Sequence, residues 1–166
     1  MSQQFMFGLL VVLAACTATL LGTVIDRPGA YRLQDGPACI ELRTGEAEVL
    51  SLFQFVSGKR SHPHRPIPSA NDVTAFAWAS PTQIVFSTST IYGRVAGVFV
   101  YDLPTRQAHA LKLPATLGFK VGWVKLESLS ATSVTCWFAD QARLDEAHLA
   151  STAVRADVPW LEKLKR

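Results

Sequence analysis

Side-chain chemistry needs groups that converge, and this sequence offers few of them. It carries four histidines, at positions 62, 64, 109 and 148, of which only His62 and His64 are close together. Alternating around Pro63, these two present side chains to a metal, but a zinc site takes a third and usually a fourth ligand. Their neighbours are cationic residues or prolines, so exposed loop histidines are the simpler reading. Adjacent acids such as Asp145-Glu146 do not share a helix face and read as solvated. The chain has no Gly-x-Ser-x-Gly elbow, no His-Glu-x-x-His helix, no phosphate-binding glycine loop and no EF-hand spacing. The expectation is therefore a protein that is not an enzyme, with no cofactor and no metal. A hydrolase with an unfamiliar site would need a deep cleft holding His109 or His148 against a carboxylate and a hydroxyl.

Recognition is better represented than catalysis. The loop from Gly58 to Pro68 gathers Lys59, Arg60 and Arg65 with His62 and His64 among three prolines. Proline fixes φ and supplies no backbone donor, so the segment is stiff and extended. It suits an acidic partner, lipid headgroups or an anionic envelope polymer; the plainer alternative is a solvated hairpin loop. Trp78, Trp123, Trp137 and Trp160 are candidates for an aromatic surface, although three of them lie in strand patterns where core packing is expected. A net charge of +3 is too small to imply a nucleic-acid partner.

These residues must be delivered and held by the rest of the chain, and its beginning is distinctive. Phe5, Met6, Phe7, Leu9, Leu10, Val11, Val12 and Leu13 form an uncharged apolar run that closes on Leu13-Ala14-Ala15-Cys16. This Leu-small-small-Cys arrangement resembles the lipobox of bacterial lipoproteins. The resemblance implies cleavage before Cys16, attachment of diacylglycerol to its thiol, and a membrane anchor in the cell envelope. Thr17, rather than an acid, after the cysteine resembles lipoproteins sorted to the outer membrane with the domain facing the periplasm. On that reading, residues 1–15 are the signal peptide, 16–28 an anchor and linker, and 29–166 the exported domain. Three alternatives stay open. Phe5 to Ile25 is about 21 uncharged residues, enough for an uncleaved transmembrane helix; the segment also fits a secretory signal without lipid, or an apolar helix buried in a cytosolic core.

If Cys16 carries lipid, Cys39 and Cys136 remain from the three cysteines. An even remainder in an oxidising compartment implies a Cys39–Cys136 disulfide. Closing so long a loop is worth about 4 to 5 kcal/mol in the chain-entropy model. Two buried reduced thiols are the alternative. Neither cysteine has a basic or histidine neighbour in sequence that would lower its pKa for nucleophilic work.

The remainder reads as β-rich. Tyr31-Arg32-Leu33 and Cys39-Ile40-Glu41-Leu42 flank Asp35-Gly36, a pair suited to a hairpin turn. Val49 to Val56 is a nearly continuous apolar run, as in a strand covered on both faces. Phe76 and Trp78 share one strand face, Ser80-Pro81 turns the chain, and Ile84-Val85-Phe86 opens the next strand. Val95, Phe99 and Tyr101 alternate around Gly97, and further strands are expected over Phe119 to Leu126 and Ser133 to Ala139. The spacing predicts an antiparallel β-sandwich or partly closed barrel preceded by an apolar N-terminal helix. Helix formers from Asp140 to Ala150, and a segment from Asp157 with Pro159 early and Lys163, Lys165 and Arg166 late, predict short C-terminal helices. Alternatively, residues Glu146 to Val154 pair with the strand ending near Phe138.

Trp78-Ala79-Ser80-Pro81, Ile84-Val85-Phe86-Ser87 and Val98-Phe99-Val100-Tyr101-Asp102-Leu103 with Thr105 together resemble one blade of a WD-like β-propeller. A propeller needs about four or more blades of some forty residues, so the resemblance implies strand-turn-strand structure here and no propeller function. The functional expectation is a membrane-anchored, non-enzymatic module that binds an unknown envelope protein, with an immunity or inhibitor protein as its more specific form. A small-ligand carrier or sensor is the alternative, and would show an apolar pocket with few polar groups.

Overall fold

In the computed structural model, residues 16–36, 38–44, 50–56, 59–61, 73–90, 95–144 and 152–159 are described. They are mainly β, in three sheets with no closed barrel. In chain order the strands are β1 (Thr17–Thr19), β2 (Val24–Ile25), β3 (Gly29–Leu33), β4 (Cys39–Thr44), β5 (Leu50–Val56), β6 (Lys59–Ser61) and β7 (Val73–Ser80). They continue with β8 (Gln83–Thr88), β9 (Gly97–Asp102), β10 (Gln107–Ala110), β11 (Val121–Leu129), β12 (Ser133–Asp140) and β13 (Val154–Pro159). The first sheet has the order β1-β3-β4-β5-β6, the central sheet β10-β9-β8-β7-β2, and the third β11-β12-β13.

The central sheet has an apolar core on each face. Phe76, Trp78, Ile84, Phe86, Phe99 and Tyr101 face the first sheet and meet Leu33, Ile40, Leu42 and Leu52. Ala75, Ala77, Val85, Val98 and Val100 face the third sheet and meet Val124, Leu126, Val134, Phe138 and Val158. Strands buried on both faces lose the alternation of apolar and polar residues, which accounts for the almost unbroken apolar character of β7, β8 and β9. A register shift between Val73 and Ala75 puts Val73 and Phe76 on the same core despite their odd spacing, as a β-bulge does. The expected mainly β fold is thus present, but as three sheets with a core on each face of the central one rather than as a single sandwich or partly closed barrel.

Polar contacts stitch the central and third sheets together. The fully buried Ser87 hydroxyl accepts from the Leu126 N–H at 3.0 Å and lies 2.7 Å from Thr74 Oγ1, which donates to the Val124 carbonyl. Ser89 bridges to Trp123, and both the N–H and the hydroxyl of Thr90 donate to the Gly122 carbonyl, at 2.7 and 2.8 Å. The sequence shows these hydroxyls only as strand residues; their buried partners explain why they are tolerated inside.

Both chain ends differ from expectation. Residues after Cys16 are not the end of a long helix: β1 pairs in parallel with β3, and β2 pairs antiparallel with β7. The segment 16–28 therefore belongs to the fold, because Ile25 is needed in the core between the first and central sheets. Leu20 to Thr23 form the turn between the two strands, with Gly22 at φ 76° and its N–H donated to the Trp78 carbonyl at 2.9 Å. At the other end, Gln141–Arg143 make a single 3-10 turn capped by the Asp140 carboxylate, and Asp157 sits in β13 rather than in a helix. Inward placement of Ala156 and Val158 has period two, and this burial outweighs the helical charge pattern. Pairing of Phe138 with Val154 supports a β partner for β12, displaced toward the C-terminus from the alternative expected. The rest of the expected helix, residues 145–150, and residues 160–166 lie outside the described residues.

Candidate functional site

The three cysteines are used differently from the expectation. Cys16 and Cys39 form the disulfide, 23 residues apart in sequence, while Cys136 is a buried free thiol. The topology gives the reason. Cys39 pairs with Arg32 in the first sheet, next to the β1 edge that follows Cys16, whereas Cys136 faces the core between the central and third sheets. A disulfide requires Cα atoms within about 7 Å, and the Cys16–Cys39 pair meets this at 6.5 Å. The expected Cys39–Cys136 bond is therefore corrected. This bond engages the Cys16 sulfur, the atom on which the lipobox resemblance places the lipid. Burial pushes the Cys136 thiol up to about 12, with the carboxylates of Asp157 and Glu127 adding to the effect.

Of the basic segment expected to bind a partner, Lys59 and Arg60 lie on β6, the edge strand of the first sheet, opposite Val56 and Phe55. His62, His64 and Arg65 lie outside the described residues. The proposed cluster is thus placed only at its first two positions, at the end of the first sheet opposite β1. Among the described residues, no group of three or more His, Cys, Asp or Glu is arranged to hold a metal.

His109 is exposed on the edge strand β10. It exerts a Coulombic pull on Asp102, but both carboxylate oxygens of Asp102 have structural partners. Oδ1 accepts from the backbone N–H and hydroxyl of Thr105 at 2.9 and 2.8 Å, and Oδ2 from Gln83 Nε2 at 3.4 Å. Partial burial raises the Asp102 pKa; the bonds from Thr105 and Gln83, aided by His109, outweigh it and hold the carboxyl below its ordinary value. The role is that of a turn clasp joining β9 to β10. His148 lies outside the described residues.

Trp78 is wholly buried in the core, as its strand pattern predicts, and Trp123 and Trp137 are half-buried on β11 and β12. Trp137 Nε1 donates to Glu127 at 3.2 Å, and Glu127 also pairs with Arg155. These polar pairings give the outer face of the third sheet a solvated, charge-paired character rather than a bare aromatic one.

One concavity was not foreseen. The connection from β10 to β11 folds back as the 3-10 turn Ala115–Leu117 and leaves an open groove of about 590 Å³, with Leu113, Pro114, Leu117, Phe119 and Val121 in its wall. Among the described residues, Lys120 is the one charged residue lining it. Gly118, at φ 70°, lets the chain turn from the 3-10 segment toward Phe119. The sequence signal was the apolar run broken by Pro114 and Gly118, which in isolation reads as an ordinary loop. No family model, curated protein or solved structure matches this chain.

Proposed function

We propose that the chain is an exported envelope protein, held at the membrane by its N-terminal segment, whose three-sheet domain serves as a non-enzymatic protein-binding module. The observation that carries the reading is the Cys16–Cys39 bond, placed immediately after the charge-free run from Phe5 to Ala15. Disulfides persist in oxidising compartments, and an uncharged apolar run at an N-terminus is the usual means of reaching one. Attachment then occurs through the apolar segment itself, because a Cys16 sulfur bonded to Cys39 cannot also carry lipid; lipid on Cys16 is the alternative if that bond does not form. An immunity or inhibitor protein is the specific form of the binding role, with Lys59, Arg60, His62, His64 and Arg65 as the cationic contact to an acidic partner. Fractionation of a two-membrane bacterium expressing the full chain, followed by intact mass and non-reducing peptide mapping, tests the reading. Envelope-bound protein with linked Cys16 and Cys39 peptides is expected; reduced protein in the cytosol overturns it.

The groove beside Phe119 favours a second reading, a carrier or sensor of a small amphipathic ligand. Its volume falls within the range of ligand sites, and apolar walls with one cation suit an apolar body bearing one negative group. Titration with the anionic naphthalene dye ANS is expected to show saturable binding that Phe119→Ser weakens. Equal binding by the variant would remove the groove from consideration.

A further inference from the structure

We propose that the Leu20–Leu21 turn lies in the interfacial layer of the lipid bilayer, so that the β1 edge of the first sheet rests against the membrane. The inference rests on the anchoring reading above. Four large apolar residues are exposed among the described residues, and two of them are adjacent in this turn: Leu20 at 64% and Leu21 at 55%. Isolated exposed apolar side chains are ordinary, but paired ones at a turn tip call for an occupant. The uncharged run after Cys16 is divided by the fold. Ile25 enters the core, Val24 packs against the neighbouring one, and the two leucines are left outside.

Continuity with the apolar segment identifies lipid as that occupant. Ala15 is joined directly to Cys16, and Leu20 follows four residues later, a reach of at most about 14 Å. Whatever holds residues 5–15 in a membrane therefore holds this turn close to it. The turn cannot swing away, because Cys16 is bonded to Cys39, β1 is paired along its length with β3, and the Gly22 N–H is tied to Trp78. Thr17 and Ala18 between them are exposed and uncharged. The first carboxylate after the turn, Asp26, is bound to Lys125 at 2.9 Å. Residues 16–19, which join the anchor to the leucines, carry no charge.

The test uses the full chain reconstituted into vesicles of phosphatidylcholine and phosphatidylglycerol, with and without acyl-chain-brominated phosphatidylcholine. Flotation reports anchoring, and the emission of Leu21→Trp above the wild-type background reports the position of the turn. Val95→Trp is the control, since Val95 is equally exposed, at 61%, but precedes β9 at the end of the central sheet away from Trp78. Added emission that is blue-shifted and quenched by bromine for Leu21→Trp, and water-like and unquenched for Val95→Trp, is expected. A floating protein whose Leu21→Trp emission is water-like and unquenched overturns the turn contact while leaving the anchoring reading intact. A chain that does not float overturns both. Leu20→Trp provides a second probe should Leu21→Trp fail to fold.

Discussion

At the level of single residues, two titrating groups make the structure's polar design measurable. Asp102 has a folded pKa below its ordinary 3.8, so its bonds stabilise the fold above that value and are lost as the pH falls through the folded pKa. Thr105→Ala removes the hydroxyl donor, and the Asp102 pKa, followed by carboxyl NMR titration, is expected to rise toward the ordinary value. Acid unfolding of Asp102→Asn is expected to lack part of the wild-type slope below about pH 4, where that carboxylate protonates. Cys136 behaves in the opposite sense. Its thiol is held protonated up to about 12 against 9.0 for the free group, so the unfolded chain releases the proton first and stability falls as the pH rises from 9 toward 12. In the native protein at pH 8 it is expected to resist iodoacetamide. Under denaturing but non-reducing conditions it is expected to be the one cysteine alkylated, with Cys16 and Cys39 reacting only after reduction. Reaction of Cys39 before reduction would contradict the observed pairing.

At the level of elements, local sequence was informative where turn chemistry and burial agree. The Asp35-Gly36 hairpin is present, with the Gly36 N–H donated to the Leu33 carbonyl at 2.9 Å, and Phe76 and Trp78 share one core as their spacing requires. The Trp78-to-Leu103 stretch forms the expected strand, turn and strand, within the meander of β7 to β10. Legibility failed where a distant partner decides. Nothing local to residues 17–25 says that they will be edge strands of two different sheets. Nor does the polar-charged segment near Asp157 announce that Val158 fills a core. The groove was illegible for the same reason, because the β10–β11 connection acquires its concave face only against Ala96 and Val121. Gly122 is a sharp case. A Cβ there would stand 2.4 Å from the Gln141 Cα and 2.9 Å from its N, and the Gln141 N–H is bonded to the Lys120 carbonyl at 2.8 Å. Gly122→Ala must therefore push β11 off the 3-10 turn, and overpacking of this kind costs about 1 to 3 kcal/mol. Urea unfolding monitored by tryptophan fluorescence is expected to show the loss, and an unchanged midpoint would mean that the two segments separate freely.

At the level of the whole molecule, the central sheet is secured from both sides by burial, while β1 owes its position to fewer restraints. It is an edge strand of three residues paired only with β3, and short edge strands contribute little apolar area of their own. The Cys16–Cys39 bond supplies what area does not: it closes a loop across 23 positions, worth about 3 kcal/mol in the chain-entropy model. Cys39→Ser is accordingly expected to lower the melting temperature by on the order of 10 °C. Hydrogen exchange distinguishes how that loss is distributed. If the bond serves mainly to hold the β1 edge, amides of residues 17–23 lose protection in Cys39→Ser, while β8 and β9, enclosed between two cores, exchange only with global unfolding. Uniform loss across all three sheets would instead show that the clasp is part of the global fold. In that event domain stability and the position of the N-terminal edge could not be varied independently, and the orientation inferred for the Leu20–Leu21 turn would depend on the disulfide throughout.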